Sequence, residues 1–333
     1  MLLILTISDL LLNLRSCFNN VSDFQSYKKM LSEWAHEQEP VFIVGPERSG
    51  TSLLFQQVSN HPSFCDFSFA TVETFCFVKP WMLLNPAGPE NYEMRVYLGS
   101  KEQFKAFQNK ISPLVERNKM LTSTGLSIPY FGKPDRKKIW FERRYKHVLR
   151  AFFFHSWNNL GKKRLVEKTP AHIRCVDEIL ATFPKAKILI CTRDITEIIS
   201  SHKKRLKKEV ELGKKPSDPS IAWLAHSTEQ YVKYLKSINN NIVNLIDSHS
   251  DCKIVPYGDL TNDSTNTLEN VFSFISEDFR SSNDSKQVRT EQAWDPLLNK
   301  PPQRNITAIK EYLTTAEIAY VSNQKNAFKD FWR

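Results

Sequence analysis

The sequence predicts a three-layer α/β fold in which a central, mostly parallel sheet is flanked by helices, and three observations predict it. Short apolar and β-branched runs recur at 41–44, 164–168, 186–192 and 253–260. Each is followed by apolar residues at helical spacing, such as Leu53, Leu54 and Val58 after the first, or Ile195, Ile198 and Ile199 after the third. The run 186–192 is near-continuously apolar instead of alternating, as befits a parallel strand covered by helices on both faces. Finally, the first unit passes from strand to helix through a loop holding two glycines, Gly45 and Gly50, in the order strand, phosphate loop, helix.

That loop has the chemistry of an anion site. The amides of Gly50, Thr51 and Ser52 stand where a first helical turn points its N–H groups outward at the positive end of its dipole, and the hydroxyls of Thr51 and Ser52 are further donors. Gly45 and Gly50 have the spacing of a Walker A loop, and the fold is P-loop-like, but Thr51 occupies the lysine position and Arg48 supplies the cation two residues before Gly50. No apolar run ending in a free Asp offers a magnesium ligand of the Walker B kind. A sulfuryl group carries less charge than a polyphosphate and can be transferred with fixed cations and amides alone, so the loop favours a metal-free donor.

Composition bounds the rest. The chain has 333 residues, 41% hydrophobic and 25% charged, which is ample for a core. No repeat or Gly/Ser linker marks a boundary, so one domain over 1–333 is expected, with an N-terminal helical extension at 1–37. A formal net charge of +10 suits a protein that handles polyanions, and no zinc-finger or RNP signature points to nucleic acid. Cys17, Cys65, Cys76, Cys175, Cys191 and Cys252 are scattered without C-x-x-C spacing, which predicts buried thiols in a reducing, cytoplasmic setting, and neither a zinc site nor a disulfide framework. The apolar stretch 1–14 is interrupted by Asp9 and is too short to span a bilayer. It predicts an amphipathic helix (Leu3, Ile7, Leu10, Leu11, Leu14), with membrane association through it left open.

The run Pro46-Glu47-Arg48-Ser49-Gly50-Thr51-Ser52 after a strand resembles the 5′-phosphosulfate loop of sulfotransferases that use 3′-phosphoadenosine-5′-phosphosulfate (PAPS), in the arginine form found in the tyrosylprotein and related bacterial branch. The resemblance implies transfer of a sulfuryl group from PAPS to a hydroxyl-bearing acceptor, whether small molecule, glycan or peptide, without a metal. Arg48, Ser49, Gly50, Thr51 and Ser52 would then hold the donor, with Arg48 also carrying charge during transfer. Nothing in the sequence states an oligomeric state.

Taken in order, the remaining elements extend the resemblance. After His61-Pro62 the family carries a Glu-Thr pair whose carboxylate deprotonates the acceptor, and Glu73-Thr74 matches it, several residues further on than usual. Glu73 is thereby the implied base, and its neighbours Val72, Phe75 and Phe77 argue for partial burial. Residues 79–157 read as helices and loops forming an acceptor-binding cap, in which Trp81, Tyr92, Tyr97, Tyr130, Phe131, Trp140 and Tyr145 are pocket or core aromatics. The Lys168-Thr169-Pro170 turn matches a triplet of this branch, placing Lys168 on the leaving phosphate and sulfuryl group. His172, just beyond it, is either a second acid/base or a packing histidine. Arg193 at a strand end with Ser201 eight residues on matches the family's 3′-phosphate pair, with Asp194 as a helix N-cap between them. The basic stretch 203–215 is a solvated helix face or a guide for anions, and 223–246 reads as a long amphipathic helix. Tyr257-Gly258-Asp259-Leu260 is similar to the family's Y-E-D-L element, with Gly258 in place of an acidic residue, and implies a nucleotide contact at Tyr257. Lys300-Pro301 resembles the basic turn that closes over the nucleotide. Two rivals remain at this point, a P-loop nucleotide kinase and a non-catalytic polyanion-binding protein on the same fold.

Overall fold

A computed structural model describes residues 23–65, 73–85, 98–123, 141–218, 220–279 and 308–332. Contacts divide the chain into two compact units, one made of 39–73, 164–176 and 186–333, the other of 1–38, 74–163 and 177–185.

The first unit holds the sheet. Strands β1 (Val41–Val44), β2 (Val166–Lys168), β3 (Lys187–Thr192) and β4 (Cys252–Pro256) lie in the order β2-β1-β3-β4, every pair parallel. The register sets Ile43 beside Lys168 and beside Leu189, and Thr192 beside Pro256. All four residues of β1 are fully buried, because a central strand covered on both faces has no position for a polar side chain. Its side chains alternate: Val41 and Ile43 join Leu189, Cys191, Val166 and Val255 in one apolar cluster. Helix α1 (Thr51–Ser59) adds Leu54, Phe55 and Val58 to that cluster.

Helix α2 (Ile195–Glu211) follows β3 directly, and Asp194 caps it as expected, accepting from the amides of Thr196 at 2.8 Å and Glu197 at 3.2 Å. Helix α3 (Thr228–Ser248) begins later than the apolar periodicity predicted, because Ser227 and Gln230 form a capping box and 222–224 turn as a separate 3₁₀ piece. The fourth apolar run is also shorter than its sequence suggested. Pro256 ends β4, and Tyr257-Gly258-Asp259-Leu260 is the first part of helix α4 (Tyr257–Asn262), not strand. Helix α5 (Ser264–Phe274) follows and contributes Leu268, Val271 and Phe272 to the same core. Near the C-terminus, α6 (Thr315–Gln324) is capped by Thr314 and Glu317.

The second unit is helical and aromatic. Residues 23–37 form a helix that buries Leu31, Trp34 and Ala35. Trp34 meets Phe154 edge-on at 5.3 Å and Phe183 at 5.9 Å, while Phe153 meets Phe183 at 5.3 Å. Further helices run over Lys101–Lys110, Ser112–Ser123 and Lys146–Asn159. Arg150 is buried and satisfied by the Thr182 carbonyl at 3.2 Å and Ser32 Oγ at 3.0 Å. Tyr145 belongs to the core, and burial pushes its hydroxyl up to about 12. Of the other cap aromatics, Trp81 is partly exposed, and Tyr92, Tyr97, Tyr130, Phe131 and Trp140 lie outside the described residues, as does the helix expected at 1–14.

No helix among the described residues is long and apolar enough to cross a membrane. Cys65, Cys76, Cys175 and Cys191 are buried and Cys252 is partly so; Cys17 lies outside the described residues.

Candidate active site

The carboxyl ends of all four strands of the sheet carry or abut residues singled out from the sequence. Gly45 follows β1, Lys168 ends β2, Arg193 follows β3 and Tyr257 follows β4. In a parallel α/β sheet this is the edge at which ligands bind, since the helices that follow present their N-termini there.

The loop between β1 and α1 is held by its own backbone. Ser49 Oγ donates to the Pro46 carbonyl at 2.7 Å, and the Gly45 amide donates to the Pro170 carbonyl at 3.2 Å, tying the loop to the turn behind Lys168. Both glycines have left-handed backbones, with φ 146° at Gly45 and 100° at Gly50. A Cβ at Gly50 would stand 2.6 Å from Tyr257 Cδ2, and one at Gly45 would collide with the Cys191 carbonyl oxygen. Gly50 is the N-cap of α1 and provides no side chain to cap it, so the first-turn amides of Thr51 and Ser52 keep the donor character expected of an anion site. Ser49 and Thr51 are buried; Ser52 is partly exposed.

Arg48 has a left-handed backbone without being glycine, at φ 69°. Its Nε donates to Ser201 Oγ at 3.0 Å, and its carbonyl accepts from Arg193 Nη1 at 3.2 Å. Arg193 is buried, donates through Nε to Glu197 at 2.8 Å, and lies over the Tyr257 ring at 4.1 Å. Arg48, Gly50, Arg193, Ser201 and Tyr257 therefore form one cluster. Glu197 was not singled out in the sequence, although its place four residues after Arg193 was a signal of an i,i+4 pair.

A second cluster forms around Lys168. Its side chain is 1% exposed, and its Nζ meets Glu73 Oε1 at 2.5 Å; the glutamate is 30% exposed. Partial burial of Glu73 agrees with its apolar neighbours in sequence, while the ion pair with a residue 95 positions away had no local signal. The residues flanking Lys168 form a buried network. Glu167 accepts from Thr169 Oγ1 at 2.6 Å, and its Oε2 lies 3.0 Å from His172 Nδ1. His172 is fully buried in this network, and its amide donates to the Thr169 carbonyl at 3.0 Å. His61 lies beyond the C-terminal end of α1, the opposite end from the loop, where its Nε2 is 3.1 Å from the Asp278 carbonyl oxygen.

Behind the loop, Glu47 accepts from Tyr234 at 2.8 Å, and burial and the Glu47 charge push the Tyr234 hydroxyl well above its usual range. Lys300 lies outside the described residues. Among the described residues no group of three or more His, Cys, Asp or Glu is placed to hold a metal ion.

Solved structures similar in fold include a sulfotransferase from Mycobacterium avium (12% identity, 88% of this chain and 77% of that one, TM-score 0.46), the sulfotransferase domain of the curacin biosynthetic pathway (17%, 87% and 98%, 0.48), and the sulfotransferase domain of the olefin synthase of Synechococcus PCC 7002 (15%, 87% and 96%, 0.44). No curated protein matches the chain in sequence. The profile of the sulfotransferase family matches residues 40–281, well over half of the chain. That span starts one residue before β1 and takes in the loop, Glu73, Lys168, the Arg193 and Ser201 pair and all four strands, so the chain belongs to the sulfotransferase family.

Proposed function

We propose that this protein transfers a sulfuryl group from PAPS to a hydroxyl of its acceptor. The observation that carries the reading is the Glu73 carboxylate held 2.5 Å from the buried Lys168 ammonium at the strand end beside the loop. A general base needs a carboxylate near a group that will carry the transferred charge, and this pair offers both. The acceptor oxygen attacks sulfur in line, the bond from sulfur to the 5′-phosphate oxygen breaks with its electron pair remaining on the phosphate, and the acceptor's proton passes to Glu73. Lys168 and the amides of Gly50, Thr51 and Ser52 stabilise the charge that builds on the sulfuryl group and the leaving phosphate. Arg193 and Ser201 hold the nucleotide's other phosphate, and Tyr257 supports Arg193 from below.

The residues fit such a donor. The loop supplies uncapped first-turn amides, and the site's cations stand on three different strand ends or loops, as a ligand with phosphates at both ends of a ribose requires. The acceptor is a hydroxyl compound. Calorimetry with adenosine 3′,5′-bisphosphate against ATP plus magnesium tests the donor. Tight binding of the bisphosphate alone supports the reading, and preference for magnesium ATP sinks it. A screen of phenols, sugars and peptides with labelled PAPS then reports the acceptor class.

A further inference from the structure

We infer that the C-terminal half of α2 and the turn after it form a docking surface for an anionic lipid bilayer, apart from the site at the sheet edge. The inference stands on the charge and exposure of this surface and does not depend on the donor reading above.

Helix α2 starts in the core and ends outside it: every residue over 195–202 is buried, and every residue over 210–217 is exposed. The stretch 203–215, which spans this transition, holds seven Lys or Arg against two Glu. Lys204, Lys207, Lys208 and Glu211 fall at i, i+3, i+4 and i+7, so they share one face of the helix, and all four are exposed. Little neutralises that face. Glu209 is buried and already met by Arg205 and by Lys214 at 2.8 Å, while Lys203 is met by Glu317 at 2.5 Å. Among the described residues Lys204, Lys207, Lys208 and Lys215 form no ion pair, which leaves four ammonium groups against the single carboxylate of Glu211.

Apolar groups are exposed at the same place. Val210, Leu212 and Trp223 are the exposed large hydrophobic residues among those described, with Leu212 69% exposed. A lone exposed leucine is ordinary, but all three stand on α2, at its end, or on the 3₁₀ turn packed beside it, where Trp223 meets His202 edge-on at 5.5 Å. The turn after α2 stands clear of the body: Gly213 has φ 89°, and a Cβ built on it meets nothing within 4 Å.

A lipid surface is the partner that uses both features. Anionic head groups attract the lysines, and Val210 and Leu212 enter the boundary between head groups and acyl chains, which closes around a protruding side chain from every side. The lysine stems lie along apolar surface while their charges stay in water. An extended acidic polymer would engage the lysines and leave Leu212 in water. His202 and Val210 are about 12 Å apart in helical rise, so the surface lies well along α2 from Ser201 and its neighbours.

The test is co-sedimentation of the full chain with vesicles of phosphatidylcholine, alone or mixed with phosphatidylserine, and with soluble poly-glutamate as competitor. Wild type is compared with Leu212→Gln and with a triple variant, Lys204→Gln, Lys208→Gln and Lys215→Gln; Lys207 is kept because it lies over the Tyr312 ring at 5.8 Å. These positions are exposed, so melting temperatures near that of wild type are expected for both variants. Wild type is expected to bind the mixed vesicles, to ignore phosphatidylcholine alone, and to release as salt rises. The triple variant should bind on the order of 10²-fold more weakly, about fivefold for each lysine. Leu212→Gln should bind roughly tenfold more weakly. Absence of wild-type binding to the mixed vesicles at low salt overturns the inference. So does equal binding by wild type and both variants, which would move the contact to another part of the chain. Weaker binding in the triple variant with none lost in Leu212→Gln, together with full competition by poly-glutamate, overturns it in favour of an acidic polymer.

Discussion

Lys168 Nζ and Glu73 Oε1 lie 2.5 Å apart, with the lysine buried and the glutamate partly open to solvent. A buried ammonium ion is tolerable only with a partner, and a proton acceptor is useful only if the acceptor molecule can reach it; this pair satisfies both conditions. Replacing Glu73 by Gln keeps the shape and removes the charge. Turnover is expected to fall roughly 10²-fold or more, with affinity for adenosine 3′,5′-bisphosphate near wild type, as measured by steady-state kinetics beside calorimetry. Unchanged turnover would remove Glu73 from the chemistry.

His172 stands apart from that role. It is fully buried and faces Glu167 at 3.0 Å, within the network that flanks Lys168. We expect His172→Asn to lower unfolding stability by about 1–3 kcal/mol, through loss of a partner for a buried carboxylate, and to weaken turnover only by misplacing Lys168. Denaturant melts and the pH profile of kcat/KM together decide this. A profile that loses its acid limb in the variant would instead make His172 the base.

At Gly50, φ is 100° and a Cβ would stand 2.6 Å from the buried Tyr257 ring. The ring also carries the Arg193 guanidinium at 4.1 Å, so it cannot swing aside without moving that side chain. Gly50→Ala is expected to cost about 1–3 kcal/mol in stability and to weaken bisphosphate binding at the same time. Wild-type behaviour in both measurements would show that the loop relaxes freely.

The cap of α6 supplies a pH test of stability. Burial opposes the charge on Glu317, but Lys203 at 2.5 Å, Thr228 at 2.6 Å and the Thr314 hydroxyl and amide outweigh it and hold the carboxyl down to about 2. A carboxyl with a lower pKa folded than unfolded stabilises the fold fully above the unfolded value, near 4.5, and loses that contribution as pH falls towards 2. The melting temperature of wild type should therefore exceed that of Glu317→Gln at pH 7, with the gap closing between about pH 4.5 and pH 2. A gap that persists unchanged at the acid end would contradict the assignment.

The sequence by itself determined the elements whose signals are local. A run of Val, Phe, Ile and Val is readable as a central strand because burial on both faces leaves no polar position. Gly45 and Gly50 are readable as a tight loop because glycine is the residue that takes the left-handed backbone such a turn needs, and Asp194 as a cap because the amides it satisfies are two and three residues away. Where local signals competed, the sequence misled: the residues after Pro256 keep an apolar, strand-like look, yet they turn into α4 to bury Tyr257 and Leu260. Only the tertiary structure decided the pairings that make the site. Glu73 meets Lys168 across 95 residues, and Arg48 meets Ser201 across 153. Neither hydrogen bond leaves a trace in spacing or periodicity, because each depends on where the parallel sheet brings separate strand ends together, and that is set by packing over the whole core instead of by neighbours in the chain.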